Sequence, residues 1–245
     1  LAAALGLDTG RPVLVLTDDD NAANRFAADL RGFSERDIVQ LPSRELVMAD
    51  VVGVSRGYEQ RRLAALDELT EAHFAVASVQ AAAQRTMPPE ALKAAIVTLA
   101  AGETAPLDEL AQSLTRAGYE RCVQVEGIGQ FSIRGGILDV FPPQAEHPYR
   151  VEFWDDEIDS ISTFDVGSQR RLEQCECLRC LPCMESIPAL AKGGAEGLAK
   201  AVLALTSTRR KKQHADLQTN LERDAERLRE TGSLPAADKY IPLIY

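Results

Sequence analysis

Val13-Leu14-Val15-Leu16-Thr17 is an unbroken apolar run of strand length. The acidic triplet Asp18-Asp19-Asp20 follows it, and apolar positions then recur at helical spacing over residues 22–30. A run closed by a polar turn and continued with a period of about 3.6 residues predicts a buried strand feeding a helix. The unit recurs. Residues 37–41, 74–78 and 94–101 have strand character. Leu63, Leu66 and Leu69 line one side of a helix over 58–69, a short helix starts at Val79, and Pro88-Pro89 sits where another can begin. Strands alternating with helices predict a parallel sheet covered on both faces.

The pattern changes after residue 104. Leu107, Leu110, Leu114 and Ala117 mark a helix over 106–117 that Gly118 can end. From Tyr119 to about Cys183, short alternating runs are punctuated by Gly127, Gly129, Gly135, Gly136, Pro142, Pro143, Pro148 and Gly167, the pattern of an antiparallel β module. Residues 190–205 and 211–231 are helical again, and residues 240–245 have a strand-like look. The expected organisation has three parts: an α/β segment over 1–104, an inserted β-rich module over 105–186, and a truncated return segment of the α/β part over 187–245. Both chain ends look like cuts in a longer polypeptide.

The composition, 45% apolar and 26% charged, is that of an ordinary soluble domain. The formal net charge of -10 offers no basic stripe for phosphates beyond the local run Arg209-Arg210-Lys211-Lys212, so a protein partner is favoured over direct DNA binding. No apolar run approaches the roughly 18 residues of a membrane span, and no signal peptide is present, which points to the cytoplasm.

Catalytic signatures are missing. The pair Gly6 and Gly10 precedes a strand and has no following lysine, whereas a phosphate loop needs its glycines after the strand. His73, His147 and His214 fall in separate segments, and Asp18-Asp19-Asp20 fits helix N-terminal charge better than a cation site. No catalytic residue and no cofactor are therefore expected. The cluster Cys175, Cys177, Cys180 and Cys183 has spacing that can serve zinc or an iron–sulfur centre. Its place in a strand-like stretch, with Cys175 and Cys177 on one face, suits small buried hydrophobes better.

In Tyr149-Arg-Val-Glu-Phe-Trp154, alternation puts Val151 and Phe153 on one face and Arg150, Glu152 and Trp154 on the other. Phe131 and Ile133 point in while Ser132 and Arg134 point out, and the strand after Gly135-Gly136 can bring Arg134 beside Arg150. Arginine and tryptophan are enriched at binding hot spots. Pattern alone gives more weight to an ordinary surface, with the arginines paired to Asp155, Asp156 or Glu157 and the indole under a helix.

Longer motifs decide between these. Ala117-Gly-Tyr-Glu-Arg121, Gln124-Val-Glu-Gly127, Gly129-Gln-Phe-Ser-Ile-Arg-Gly-Gly-Ile-Leu-Asp-Val-Phe-Pro142, Pro148-Tyr-Arg-Val-Glu-Phe153, Asp156-Glu-Ile-Asp-Ser160 and Ser168-Gln-Arg170 resemble the bacterial transcription-repair coupling factors (Mfd). Gln60-Arg-Arg-Leu63, Pro88-Pro-Glu-Ala-Leu92 and Asp238-Lys-Tyr-Ile-Pro-Leu-Ile-Tyr245 extend the resemblance along nearly the whole chain. UvrB shares the module, but its aromatic Tyr-Tyr-Asp-Tyr-Tyr hairpin has no counterpart in residues 43–59. The resemblance implies a degenerate RecA/helicase-like parallel-sheet domain with an inserted, mainly antiparallel module like UvrB domain 2. It implies a non-catalytic UvrB mimic that recruits UvrA to stalled RNA polymerase in nucleotide excision repair. RNA polymerase and DNA would be bound by parts of the family protein not in this chain. The family's UvrA-contact positions fall on Arg134, Arg150 and Trp154, the last usually Phe in the family. The alternative is a UvrB-like damage-verification subunit with ATPase activity.

Overall fold

A computed structural model describes residues 1–44, 56–207, 215–234 and 237–245. The basic run at 209–212, His214 and most of residues 43–59 lie outside them. The fold is mixed α/β, with a parallel sheet, a mainly antiparallel sheet and a two-stranded antiparallel pair.

The chain opens with α1 (Ala2–Thr9), β1 (Val13–Thr17), α2 (Asp20–Arg31), β2 (Ile38–Leu41), α3 (Arg56–Glu68), β3 (Phe74–Ser78), α4 (Val79–Ala83), α5 (Pro89–Ala95) and β4 (Val97–Ala100). The first three strands form a parallel sheet in the order β1-β3-β2. α2 lays Ala23, Ala27 and Leu30, four and three residues apart, onto Phe74 and Val76. Ala65 of α3 and Ala81 of α4 pack with Val39, Leu41 and Ala77 on the other face. The expected double cover holds at β2 and β3 but not at β1. There Val13 and Val15 pack under α2, while Leu14 and Leu16 are 61% and 52% exposed. The strand expected over 94–101 is shorter, because Ala94 and Ala95 complete α5.

The carboxyl ends of the three parallel strands meet at Asp20. Asp19 caps α2 by accepting the Ala22 N–H at 2.7 Å, which leaves Asp20 inside the first turn. One Asp20 oxygen accepts from the Ser43 N–H and hydroxyl, both at 2.8 Å, and the other from the Ser78 hydroxyl at 2.5 Å. These hydrogen bonds hold the Asp20 carboxyl below its usual pKa against the opposing pull of desolvation.

α6 (Leu107–Arg116) leads into β5 (Glu120–Arg121), β6 (Gln130–Arg134), β7 (Ile137–Val140), β8 (Tyr149–Trp154), β9 (Glu157–Phe164) and β10 (Arg171–Cys175). These strands form one sheet in the order β10-β9-β8-β7-β6-β5, antiparallel except for β5 beside β6. Its inner face buries Phe131, Leu138, Val151 and Ile161 against Leu110 and Leu114 of α6. β11 (Cys177–Cys180) leaves this sheet and pairs antiparallel with β4, which brings Leu99 into the same core.

α7 (Gly194–Ser207) and α8 (Ala215–Thr231) pack as a hairpin. The strand-like look of residues 240–245 is overturned. A 3₁₀ turn, Ala237–Tyr240, runs into α9 (Ile241–Ile244). Ile241 and Ile244 are both buried at a spacing of three, and Pro242 tolerates the first helical turn. The Tyr240 hydroxyl donates to Asp224 at 2.7 Å, and Lys239 pairs with the same oxygen.

One buried ion cluster joins these parts. Glu185 is wholly buried, and its carboxylate meets Arg62 Nε at 2.8 Å and Arg44 Nη2 at 2.9 Å. Its other oxygen accepts the Met87 N–H at 3.3 Å, and its backbone carbonyl accepts the Tyr245 hydroxyl at 2.9 Å. Arg62, 1% exposed, also donates to the Pro42 carbonyl. Burial pulls the Arg62 guanidinium down from its usual pKa, while Glu185 works in the opposite direction.

Two outcomes are expected. Glu185→Ala leaves the Arg62 charge buried without its partner and costs about 3–5 kcal/mol in urea unfolding. The Asp20 contribution is fully present above the ordinary aspartate value of about 3.9 and is lost as pH falls through the depressed folded-state pKa. Asp20→Asn should therefore flatten that acid limb in a series of urea midpoints.

Candidate functional site

The outer face of the six-stranded sheet carries the residues singled out from the sequence. Register places Ser132, Asp139, Arg150 and Ser162 in one row across β6 to β9. The neighbouring row runs Arg134, Ile137, Glu152 and Ser160. Strand alternation gives both rows to the face opposite Phe131, Leu138 and Val151.

The first row is not bare surface. Ser132, Asp139 and Ser162 are buried, although Ser132 was expected to point out to solvent. Its hydroxyl donates to the Val123 carbonyl at 2.8 Å. A small second core of Val125, Phe141 and Phe164, flanked by Cys122 and Val166, covers this end of the face. Alternation predicted the face correctly but carried no information about the segment that folds over it.

Asp139 is the centre of the charged group. It is 1% exposed, and its two oxygens accept from Arg150 Nε at 2.7 Å and Arg150 Nη2 at 2.8 Å. The second oxygen also accepts from Arg134 Nη2 at 2.7 Å. The arginines thus pair with Asp139 rather than with Asp155, Asp156 or Glu157. The expectation that β7 brings them together holds, through a residue that the sequence reading passed over. A buried acid directly between two outward arginine positions in alternating strands was the signal available. The hydrogen bonds to Asp139 raise the Arg150 pKa against the opposing pull of desolvation.

The two arginines differ. The Arg150 side chain is 15% exposed, its guanidinium lies 4.5 Å over the Phe164 ring, and it also donates to Gln169. Arg134 is 47% exposed. It ends β6 at a two-residue turn where Gly135 adopts φ 60°. A side chain on Gly136 would meet the Phe153 carbonyl at 2.9 Å, so glycine permits the close approach of β8.

Trp154 ends β8 at the Asp155-Asp156 turn, at the same end of the sheet as the Arg134 turn. It is 81% exposed and lies under no helix. A β-bulge opposite the step from Glu152 to Phe153 twists the strand end that carries it. Beside it, Glu152 pairs with Arg171 and accepts the Ser160 hydroxyl at 3.2 Å. Arg171 holds the Glu152 carboxyl below its usual range.

Cys180 and Cys183 are buried in the module's core with Cys175 packed against it, and Cys177 lies outside that cluster. Cys175 ends β10 and Cys177 begins β11, so they do not share one strand as expected. Cys177 is exposed, while Cys180 and Cys183 are buried. Desolvation pushes the Cys180 thiol up to about 12. Among the described residues, no three His, Cys, Asp or Glu side chains are placed to hold a metal ion. Among them, too, no helix is long and apolar enough to cross a membrane.

Residues 97–185 match the UvrB interaction domain family. The chain is similar to the transcription-repair-coupling factor of Bacillus subtilis, 33% identical over 250 residues that cover 99% of this chain and 21% of that protein. It is 32% identical to the Escherichia coli transcription-repair-coupling factor over 71% of the chain and 15% of that protein. It is 36% identical to the Mycobacterium tuberculosis one over 72% and 15%. The chain thus spans about one-fifth or less of these curated relatives.

Trp154 is the single tryptophan of the chain. Its emission should be that of a water-exposed indole and fully open to acrylamide quenching. Trp154→Ala should leave stability within about 0.5 kcal/mol of the parent, measured by thermal unfolding.

Proposed function

We propose that the chain recruits UvrA in nucleotide excision repair, because it is similar along nearly its whole length to the Bacillus subtilis transcription-repair-coupling factor and its residues 97–185 match the UvrB interaction domain family. The observation that carries the reading is the outer end of the β6–β8 sheet. There Arg134 and the exposed Trp154 stand at one end of the face, with the mostly covered Arg150 in the row behind Arg134. An exposed indole beside arginines is the composition of a protein-binding hot spot.

In this reading, residues 1–104 and 187–245 form a degenerate RecA/helicase-like α/β domain. Residues 105–186 are the inserted UvrA-binding module, and β4 reaches into it through its pairing with β11. The domain acts as a non-catalytic mimic of UvrB. The turn after β1 supports this, since it carries Asp18-Asp19-Asp20 where a phosphate loop would have glycines and a lysine. The wider protein would meet RNA polymerase and DNA through other segments, in the cytoplasm.

Arg134 is the informative position, because half of its side chain is exposed and it is joined to Asp139 through one nitrogen. Arg134→Ala and Trp154→Ala should each abolish capture of purified UvrA while the unfolding midpoint stays close to the parent's. Undiminished capture by both variants rejects the site. Arg150→Ala should lose capture and also lower the midpoint, since it strips the buried Asp139 of its bidentate partner.

A further inference from the structure

Arg150 is held from several sides at once. Asp139 grips its Nε and Nη2. On the opposite side, the Gln169 backbone carbonyl accepts from Nη1 at 3.4 Å and the Gln169 side-chain oxygen accepts from Nη2 at 3.2 Å. Gln169 reaches both positions because its backbone is left-handed, at φ 59°, a conformation rare for a residue with a side chain. Its own amide nitrogen is occupied by the Val166 carbonyl at 2.8 Å.

The loop that imposes this conformation is closed by Asp165. One Asp165 carboxylate oxygen accepts from the Ser168 N–H at 2.7 Å and the Ser168 hydroxyl at 2.6 Å. The Asp165 carbonyl accepts the Gln169 N–H at 2.8 Å. Phe164, at the start of the loop, supplies the ring beneath the guanidinium. The loop thus returns two acceptors to Arg150, which passes the constraint through Asp139 to Arg134. Two cations against one anion leave this group positive on a chain of net charge -10.

We propose that Asp139 and Gln169 are positioning residues: with Arg150 as the link between them, they set the half-exposed Arg134 guanidinium for a carboxylate-bearing patch on the partner. This rests on the reading of the face as the UvrA-recruiting surface. A guanidinium fork binds a carboxylate well only when its plane is already set, so orientation contributes beyond charge.

Charge and orientation pull in opposite directions at Asp139, and that separates them. Asp139→Asn makes the face more positive by one unit. If Asp139 only neutralised charge, UvrA affinity would rise at low salt. As a positioning residue, its loss should weaken UvrA binding about tenfold. Gln169→Gly keeps the left-handed backbone and removes the side-chain acceptor for Arg150 together with the amide's hydrogen bond to the Val166 carbonyl. It should weaken binding about threefold with an unchanged unfolding midpoint. The measurements are UvrA titration by calorimetry and thermal unfolding of each variant. Tighter binding of Asp139→Asn, or unchanged binding per folded molecule in both variants, overturns the proposal. No binding by the parent chain overturns the recruitment reading and this proposal together, an outcome distinct from parent binding that both variants retain.

Discussion

Glu185 carries a negative charge into a site sealed from water, where Arg62 and Arg44 meet it. A carboxylate so placed is tolerated only with cations at hydrogen-bond distance. That requirement fixes where three distant segments lie. Arg62 belongs to α3, Arg44 follows β2, and Glu185 stands at the end of the β module, after β11. Tyr245 adds the end of the chain by donating to the Glu185 carbonyl. The module's orientation on the parallel sheet follows from this cluster and from the β4–β11 pairing. A hydrophobic contact would tolerate sliding, but a buried ion pair does not.

Much of the fold was legible because it is written in local periodicity. The alternation of apolar runs and helical spacing located β1, α2, β2, α3 and β3, and Gly118 ended α6 where glycine suits a positive φ. Most of what failed depended on neighbours distant in sequence. Ala94 and Ala95 were instead a local misreading, taken with the apolar run they adjoin although alanine favours the helix they complete. Residues 240–245 looked extended until Tyr240 and Ile244 found a helical hairpin to pack on. Leu14 and Leu16 look like core in any local window, and only the strand order shows that β1 is an edge whose second face is open.

The site was legible in outline and not in its wiring. Strand alternation put Arg134, Arg150 and Trp154 on one face, and the exposed indole agrees with that. It also implied that everything on the face is wet. Instead, residues from two loops cap the row through Ser132, Asp139 and Arg150, so the face has a dry end and an open end. Asp139 escaped attention because it lies in an apolar strand between Leu138 and Val140, where a single acid reads as the solvent side of the alternation. Gln169 gave no signal, because nothing in its identity announces a left-handed backbone.

The two ends of that face live under different rules. Trp154 stands at a hairpin tip, attached to the rest of the molecule by little more than its own backbone. Replacing it changes what the surface offers and almost nothing about how the chain folds, so selection for partner fit can act there unopposed. At Asp139 and Arg150 the same groups serve folding and recognition together, and a change that improves one must first survive the other. An interface built this way has a tunable rim on an invariant root. Divergence between lineages can accumulate at the aromatic tip while the ionic base stays put.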